Sequence, residues 1–317
     1  MVFTAQRVAY GLLTTFAVTV LVFAATQALP GDPASAILGN SATPERVAAL
    51  RNQLGLDRPL VEQYFSWLGN LFHGDFGNSL LGGKEPVTKV ISGPLFNSLT
   101  LVLLAGGIVV ALSILLGAYA GARRDSAVDV GVLGASVALT AIPEFVVGLI
   151  LVGVFATSIL HVLPAVSVIA AGESPFHKPE QLILPVATLV LAGFPYLTRL
   201  TRGSVIEVFE SEYVRMARLK GVPASAIVRR HVLPNALVPT IQGATMTLAY
   251  LTGGTVVVEY LFNYPGLGRT LSDAVSNRNL PVIQAVTLLF ALAYVVLNLI
   301  GDVVTIYVSP RLRTEQL

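Results

Sequence analysis

Few residues of this 317-residue chain have the types and spacing to do chemistry, and those few are scattered. There is no cysteine, which excludes thiolate nucleophiles, thiolate metal sites and disulfides. The four histidines, His73, His161, His177 and His231, fall in loops without the Glu-x-x-His spacing of a metal-binding helix. No Gly-x-Ser-x-Gly elbow is present. A phosphate-cradling loop needs Gly-x-x-x-x-Gly-Lys-Ser/Thr. The nearest run, Gly82-Gly83-Lys84-Glu85, has Asn78 where the first glycine belongs and Glu85 where the hydroxyl belongs. We expect no catalytic residue, no metal ligand and no cofactor bound by this chain.

Three acids remain, each within or beside an apolar stretch: Glu144, Glu259 and Asp302. An unpaired charge in a bilayer costs at least ~2.5–3.5 kcal/mol, so each acid needs a reason to be there. Asp302 admits two readings, a latch to an arginine such as Arg199 or Arg202, or a place on a translocation path. Glu144, just after Pro143, and Glu259 are candidates to face the mouth of such a path. Headgroup positions, or pairing with Arg269 or Arg278, are open for both. Tyr196 and Asn298 are further path candidates of the same kind.

The elements that must position these groups are membrane spans. The chain is 54% hydrophobic and 12% charged, with mean hydropathy +0.74. Soluble domains carry about 25% charged residues. Residues 8–29 form a first apolar run, longer than a signal-peptide core and without a clean cleavage site, so an uncleaved span is expected. Further spans are expected at 97–119, 182–200, 237–258 and 281–308. The stretch 130–160 is too long for one straight span and is interrupted at Pro143, which predicts a kinked span or a span with a re-entrant piece. Gly117 and Gly121, four apart, permit close helix contact or mark a small-residue helix end. The run 309–313, with Arg311 and Arg313, ends the last span.

Residues 30–96 differ. Leu-Pro-Gly-Asp-Pro (29–33) is a turn signal, Thr43-Pro44-Glu45 reads as a cap and first turn, and Gly55 as the stop of that helix. Asp57 is expected to cap a second helix from Pro59 to about Phe72, with Leu60, Tyr64, Trp67, Leu68 and Leu71 on a buried stripe. With a cytoplasmic start, 12 of the 20 Lys and Arg fall inside and eight outside, five of the eight within 30–96. That segment is too long for the positive-inside rule to count, so both termini and the 212–234 segment are expected in the cytoplasm. The sequence pI of about 8.9 therefore reflects membrane sidedness, not a nucleic-acid surface.

The chain is organised around residues 212–239. Tyr213, Arg215, Arg218, Lys220, Arg229 and Arg230 alternate there with Val214, Ala217, Leu219, Ile227 and Val228. Gly221-Val222-Pro223 breaks the segment into helix, tight turn and short helix starting near Ala224. His231, Leu233, Pro234 and Pro239 then lead into the next span.

Ala217-Arg218-Leu219-Lys220-Gly221, followed after nine residues by His231-Val232-Leu233-Pro234, resembles the E-A-A-x-x-x-G-(x9)-I-x-L-P loop of ABC importer permeases. The glycine and the Leu-Pro match; Arg215, Met216 and His231 depart. The form Tyr-Val-Arg-x-Ala-Arg-x-Lys-Gly (213–221) is typical of the dipeptide/oligopeptide/nickel branch. The insert resembles that branch as well, in Leu-Pro-Gly-Asp-Pro, Thr-Pro-Glu, Leu-Gly-Leu-Asp-Arg-Pro and Gly-Asp-Phe-Gly-x-Ser.

The resemblance covers essentially the whole chain. It implies an all-α polytopic membrane protein with six transmembrane helices, the type I ABC importer permease fold, and a small helical extracytoplasmic insert. Residues 1–29 would hold the N-terminus and first span, 30–96 the insert, and 97–317 the permease core with its coupling segment at 212–234. It implies an inner-membrane channel-forming subunit for di- and oligopeptides, a homologous second permease, two cytoplasmic ATPases or one fused ATPase that bind ATP and magnesium, and an extracytoplasmic substrate-binding protein. Nickel or glutathione is the alternative cargo; a stand-alone secondary transporter or channel is the rival from another class. An apolar footprint from Val214, Ala217, Leu219 and Ile227 is expected to carry much of the coupling to the ATPase.

Overall fold

A computed structural model describes residues 2–28, 31–81, 85–170 and 172–308. Leu29 and Pro30 of the first turn signal, the Gly82-Gly83-Lys84 run, the 309–313 end and the Arg7 side chain lie outside the described residues. The described chain is helical, with one isolated bridge between Asn78 and Pro86.

Among the described residues, four helices are long and apolar enough to cross a membrane: α1 (Val2–Gln27), α5 (Val87–Ala122), α8 (Glu180–Phe209) and α13 (Leu280–Val308). A fifth candidate is α6 (Ala127–Thr140) paired with α7 (Glu144–Val152) and the wide helical turn that extends it to Thr157, bent by 101°. The expected kink at Pro143 is therefore a sharp break. Proline has no amide hydrogen and disfavours helical backbone before it, and Pro143 is extended, with φ −58° and ψ 144°.

The stretch expected as a span at 237–258 is α11 (Leu233–Leu261), which has the length but is not apolar enough to join the four. Gln242, several glycines and a run of threonines lower its hydropathy. Thr240, Thr245, Thr247 and Thr252 donate their hydroxyls to the carbonyls of Ala236, Ile241, Gly243 and Leu248. Polar groups satisfied within the helix can sit in a low-dielectric bundle without partners elsewhere.

The bundle centre joins α5, α8 and α11. Leu101, Ala105 and Val109 meet Leu184, Leu189, Leu197, Leu251 and Val258, all buried. The α5–α8 seam is set by Gly117 and Gly121. A methyl at Gly117 would lie 2.8 Å from the Thr198 carbonyl oxygen, and one at Gly121 would lie 2.9 Å from that of Arg202. The close-contact reading of these two glycines is the one the fold adopts.

Between α1 and α5 lie α2 (Pro33–Leu38), α3 (Pro44–Leu54) and α4 (Leu60–Phe72). Thr43 caps α3 as expected, and Gly55 ends it at φ +69°. Asp57 does not cap α4. It pairs with Arg51, which also reaches Asp32, both at distances of 2.8–2.9 Å. The predicted α4 stripe is half-buried at Tyr64, Trp67, Leu68 and Leu71, but Leu60 is exposed. Tyr64 and Trp67 pack on Phe23 of α1, and Tyr64 shares a 2.8 Å hydrogen bond with Thr19. The helix thus lies along α1. Helix α5 begins at Val87, well before the expected residue 97, and carries Pro94 inside it.

Candidate coupling face and transport path

The end of α8 turns through Glu210 and Ser211 into α9 (Glu212–Leu219). Gly221 follows at φ +74°, then α10 (Ala224–Ile227) and a wide helical turn into α11. The left-handed backbone at Gly221 is what lets α9 end and reverse. Its amide bonds the Arg218 carbonyl at 3.0 Å, and the Val222 amide bonds that of Ala217 at 3.1 Å.

Val214 and Ala217 of α9, Ile227, Val232 and Ala236 form a buried cluster with Val205 of α8, against Ala118 of α5 and Phe209. Three members of the expected outward footprint, Val214, Ala217 and Ile227, therefore face the bundle. They seat the segment and are not available to another protein. The outward apolar face of α9 is Tyr213, Met216 and Leu219, the last 75% exposed. Arg215, Arg218, Lys220, Ala224 and Pro234 are also exposed, and Val222, His231 and Leu233 are half-buried. Arg218 lies over the Phe209 ring at 5.4 Å, and Arg124 bridges Glu210 at 2.6 Å.

The arginines singled out for Asp302 are engaged elsewhere. Arg202 makes a two-pronged pair with Asp129 of α6, one contact at 2.7 Å, and Arg199 donates to Thr140 Oγ1 at 3.1 Å. Sequence reading missed the Asp129–Arg202 pair, because 73 residues separate the partners. Asp302 is half-buried and lines a cleft between α1, α11 and α13 with Asn298, Thr14 and Gln242.

Glu259 is not on a path surface. It is fully buried and accepts hydrogen bonds from Ser98 Oγ of α5 and from the backbone amides of Gly268 and Arg269, which open α12 (Leu267–Ser276). The Arg269 side chain goes instead to Asp273.

Glu144 is half-buried and faces α11, where the Tyr250 hydroxyl donates to it at 3.3 Å. Tyr196 of α8 is 46% exposed, with its hydroxyl 3.9 Å from the Met246 sulfur. Met246 and Tyr250 belong to a stripe along α11, Gln242, Met246, Tyr250, Gly253, Val257 and Tyr260, all exposed and recurring every three or four residues. The outward face of α5 is Leu99, Leu103, Ile108 and Leu115. That face suits acyl chains, whereas the α11 stripe carries an amide, two phenols and a thioether beside a carboxylate. Glu144 and Tyr196 each touch this stripe, at Tyr250 and at Met246. The sequence signal for Met246 and Tyr250 is slight, a helical spacing in a Thr- and Gly-rich helix.

The family described as binding-protein-dependent transport system inner membrane component matches residues 113–314. The N-terminal region described for the same class of membrane components matches residues 1–86. The chain belongs to this family of ABC importer permeases. The permease is 37% identical over 310 residues to a protein of Brucella abortus (strain 2308) named as a peptide transport system permease, covering 98% of each chain. It is 36% identical over 300 residues to the glutathione transport system permease of Escherichia coli (strain K12), covering 95% of each. The two matched regions cover most of the chain, so the permease is a multi-pass membrane component of an ABC transport system.

Proposed function

We propose that the permease is the channel-forming subunit of an ATP-driven importer that carries di- and oligopeptides into the cytoplasm by alternating access. The observation that carries this reading is the seat of α9. Its inner face is locked into the ends of α5 and α8, and its outer face presents Tyr213, Met216 and Leu219 among basic side chains. A short helix held this way transmits a push without absorbing it. Swinging a gate from mostly shut to mostly open needs roughly 5.5 kcal/mol of differential binding. Exposed ion pairs supply about 0–1 kcal/mol each, so the outward apolar residues carry much of the contact with the ATPase.

In this reading six segments cross the membrane: α1, α5, the bent α6–α7, α8, α11 and α13. Both termini and 212–234 lie in the cytoplasm, and the 30–96 insert receives the substrate-binding protein outside. ATP and magnesium bind to two ATPase subunits or one fused chain. A homologous second permease closes the other side of the path, which on this chain includes Glu144, Tyr196, Asn298 and Asp302. The name of the Brucella relative supports peptide cargo. That of the Escherichia coli relative supports glutathione, itself a small peptide, as the second reading.

Proteoliposomes holding both permeases and the ATPases, with the binding protein added, should accumulate labelled dipeptide only when ATP is supplied. Uptake by this chain alone, or uptake indifferent to nucleotide, would defeat the proposal. Competition by excess glutathione separates the two cargo readings.

A further inference from the structure

Glu144 opens α7 at the break after Pro143 and points across to α11. Room for its carboxylate comes from Gly254, where a methyl group would sit 2.7 Å from Oε2. Its one side-chain hydrogen bond is the donation from Tyr250, and no Lys or Arg forms an ion pair with it among the described residues.

The other buried acids have been dealt with differently. Asp129 holds Arg202, and Glu259 is saturated by a hydroxyl and two amides. Glu144, beside the polar stripe of α11, is left with acceptor capacity and no countercharge among the described residues. A membrane-embedded acid placed so calls for a cation to visit it. The surroundings suit an ammonium. The exposed Tyr250 phenol beside it offers a ring face to a cation. At Gly253 a side chain would meet open space, so a peptide backbone can pass close to the helix there.

We propose that Glu144 and Tyr250 form a transient subsite for the cationic amino group of the cargo, the N-terminal ammonium of a short peptide. The inference rests on the peptide-importer reading and adds the group that the path recognises. Because no cation among the described residues pairs with the carboxylate, the ammonium supplies the missing charge while it passes and leaves none behind, as a path rather than a trap requires.

The test uses the full transporter in proteoliposomes with its binding protein, and compares Glu144→Gln, Glu144→Asp and Tyr250→Leu for ATP hydrolysed per labelled dipeptide delivered. Gln keeps the size and the hydrogen bond to Tyr250, so a purely structural Glu144 would tolerate it. We expect Glu144→Gln to raise the ATP used per peptide about tenfold, the scale of one charge-assisted hydrogen bond, and Glu144→Asp to restore most of the loss. A wild-type ratio in Glu144→Gln overturns the subsite, as does an Asp variant as poor as the Gln one. Should Glu144→Gln not assemble, Tyr250→Leu decides, since a worsened ratio supports the subsite and an unchanged one sinks it. If the wild-type transporter moves no dipeptide at all, the importer reading has failed and the subsite goes with it. If the wild type transports and only the variants are indifferent, the subsite alone has failed.

Discussion

The Glu259 carboxylate accepts the backbone amide of Gly268 at 2.6 Å, so the residue that nearly ends α11 also caps the start of α12. Ser98 of α5 completes the knot, giving its hydroxyl hydrogen to Glu259 and accepting the Leu267 amide at 2.8 Å. Beside it, Asn97 donates to the Pro265 carbonyl at 2.8 Å, and Tyr264 donates to that of Asn97 at 3.1 Å. Three helices are tied at one buried point by a helix N-terminus and an acid, an arrangement in which dipole and hydrogen bonds act together.

Removing the acid should therefore loosen the fold rather than change the cargo. Glu259→Ala strands the Ser98 hydroxyl and two α12 amides in a buried site, which costs about 2–4 kcal/mol. The expected result is a clearly lower unfolding midpoint for the detergent-solubilised permease, with Glu259→Gln between the variant and wild type. An unchanged midpoint in Glu259→Ala would show that α12 is held by other contacts.

The two faces of α9 should respond oppositely to substitution. Leu219→Asp puts a charge on an exposed position and should leave the permease folded while weakening capture of the ATPase in a pull-down. Val214→Ala removes buried methyls and should cost about 1.5–3 kcal/mol of stability. Equal effects of the two on ATPase binding would mean that α9 does not dock by its outer face.

These faces mark where the sequence stops being readable. The break at Gly221-Val222-Pro223, the Thr43 cap and the Gly55 stop are local signals, and each is found where local backbone chemistry places it. Direction is not local. Val214 and Leu219 are both apolar members of one short helix, and only Val205 and Ala118, from distant parts of the chain, decide that the first faces in. Glu259 was unreadable for the same reason, since Ser98 lies 161 residues away. Helix α11 is not apolar enough to join the four long apolar helices, and its threonines find partners one turn back in their own helix, a pairing that hydropathy alone does not record.

Gly221 tests coupling without crowding. A side chain there would meet no atom within 4 Å, so the whole effect of a substitution comes from the φ of +74°. A β-branched residue in left-handed backbone is strained by roughly 1–2 kcal/mol or more, enough to tilt α9 away from its seat. A Gly221→Val permease should insert normally yet leave its ATPase partners hydrolysing ATP without matching uptake, whereas Gly221→Asn, which tolerates this backbone, should stay close to wild type. Normal uptake by the valine variant would remove the turn from the coupling mechanism.

The α2–α3 segment should be sensitive to acid through Asp32. Burial raises the Asp32 pKa, but the hydrogen bonds from Ser35 and the charge of Arg51 outweigh it, so the carboxyl is held below its ordinary value. A depressed acid favours the folded form when ionised. Its contribution is complete above the unfolded value of about 3.9 and is lost as pH falls through the depressed folded value. The α2–α3 contact should therefore hold at neutral and mildly acidic pH and weaken only in strong acid. A carbon-detected titration of the Asp32 carboxyl should give a midpoint below that of an unstructured peptide, and Arg51→Ala should move it upward. A midpoint that ignores Arg51 would mean that their 2.8 Å contact contributes nothing to holding the segment together in solution.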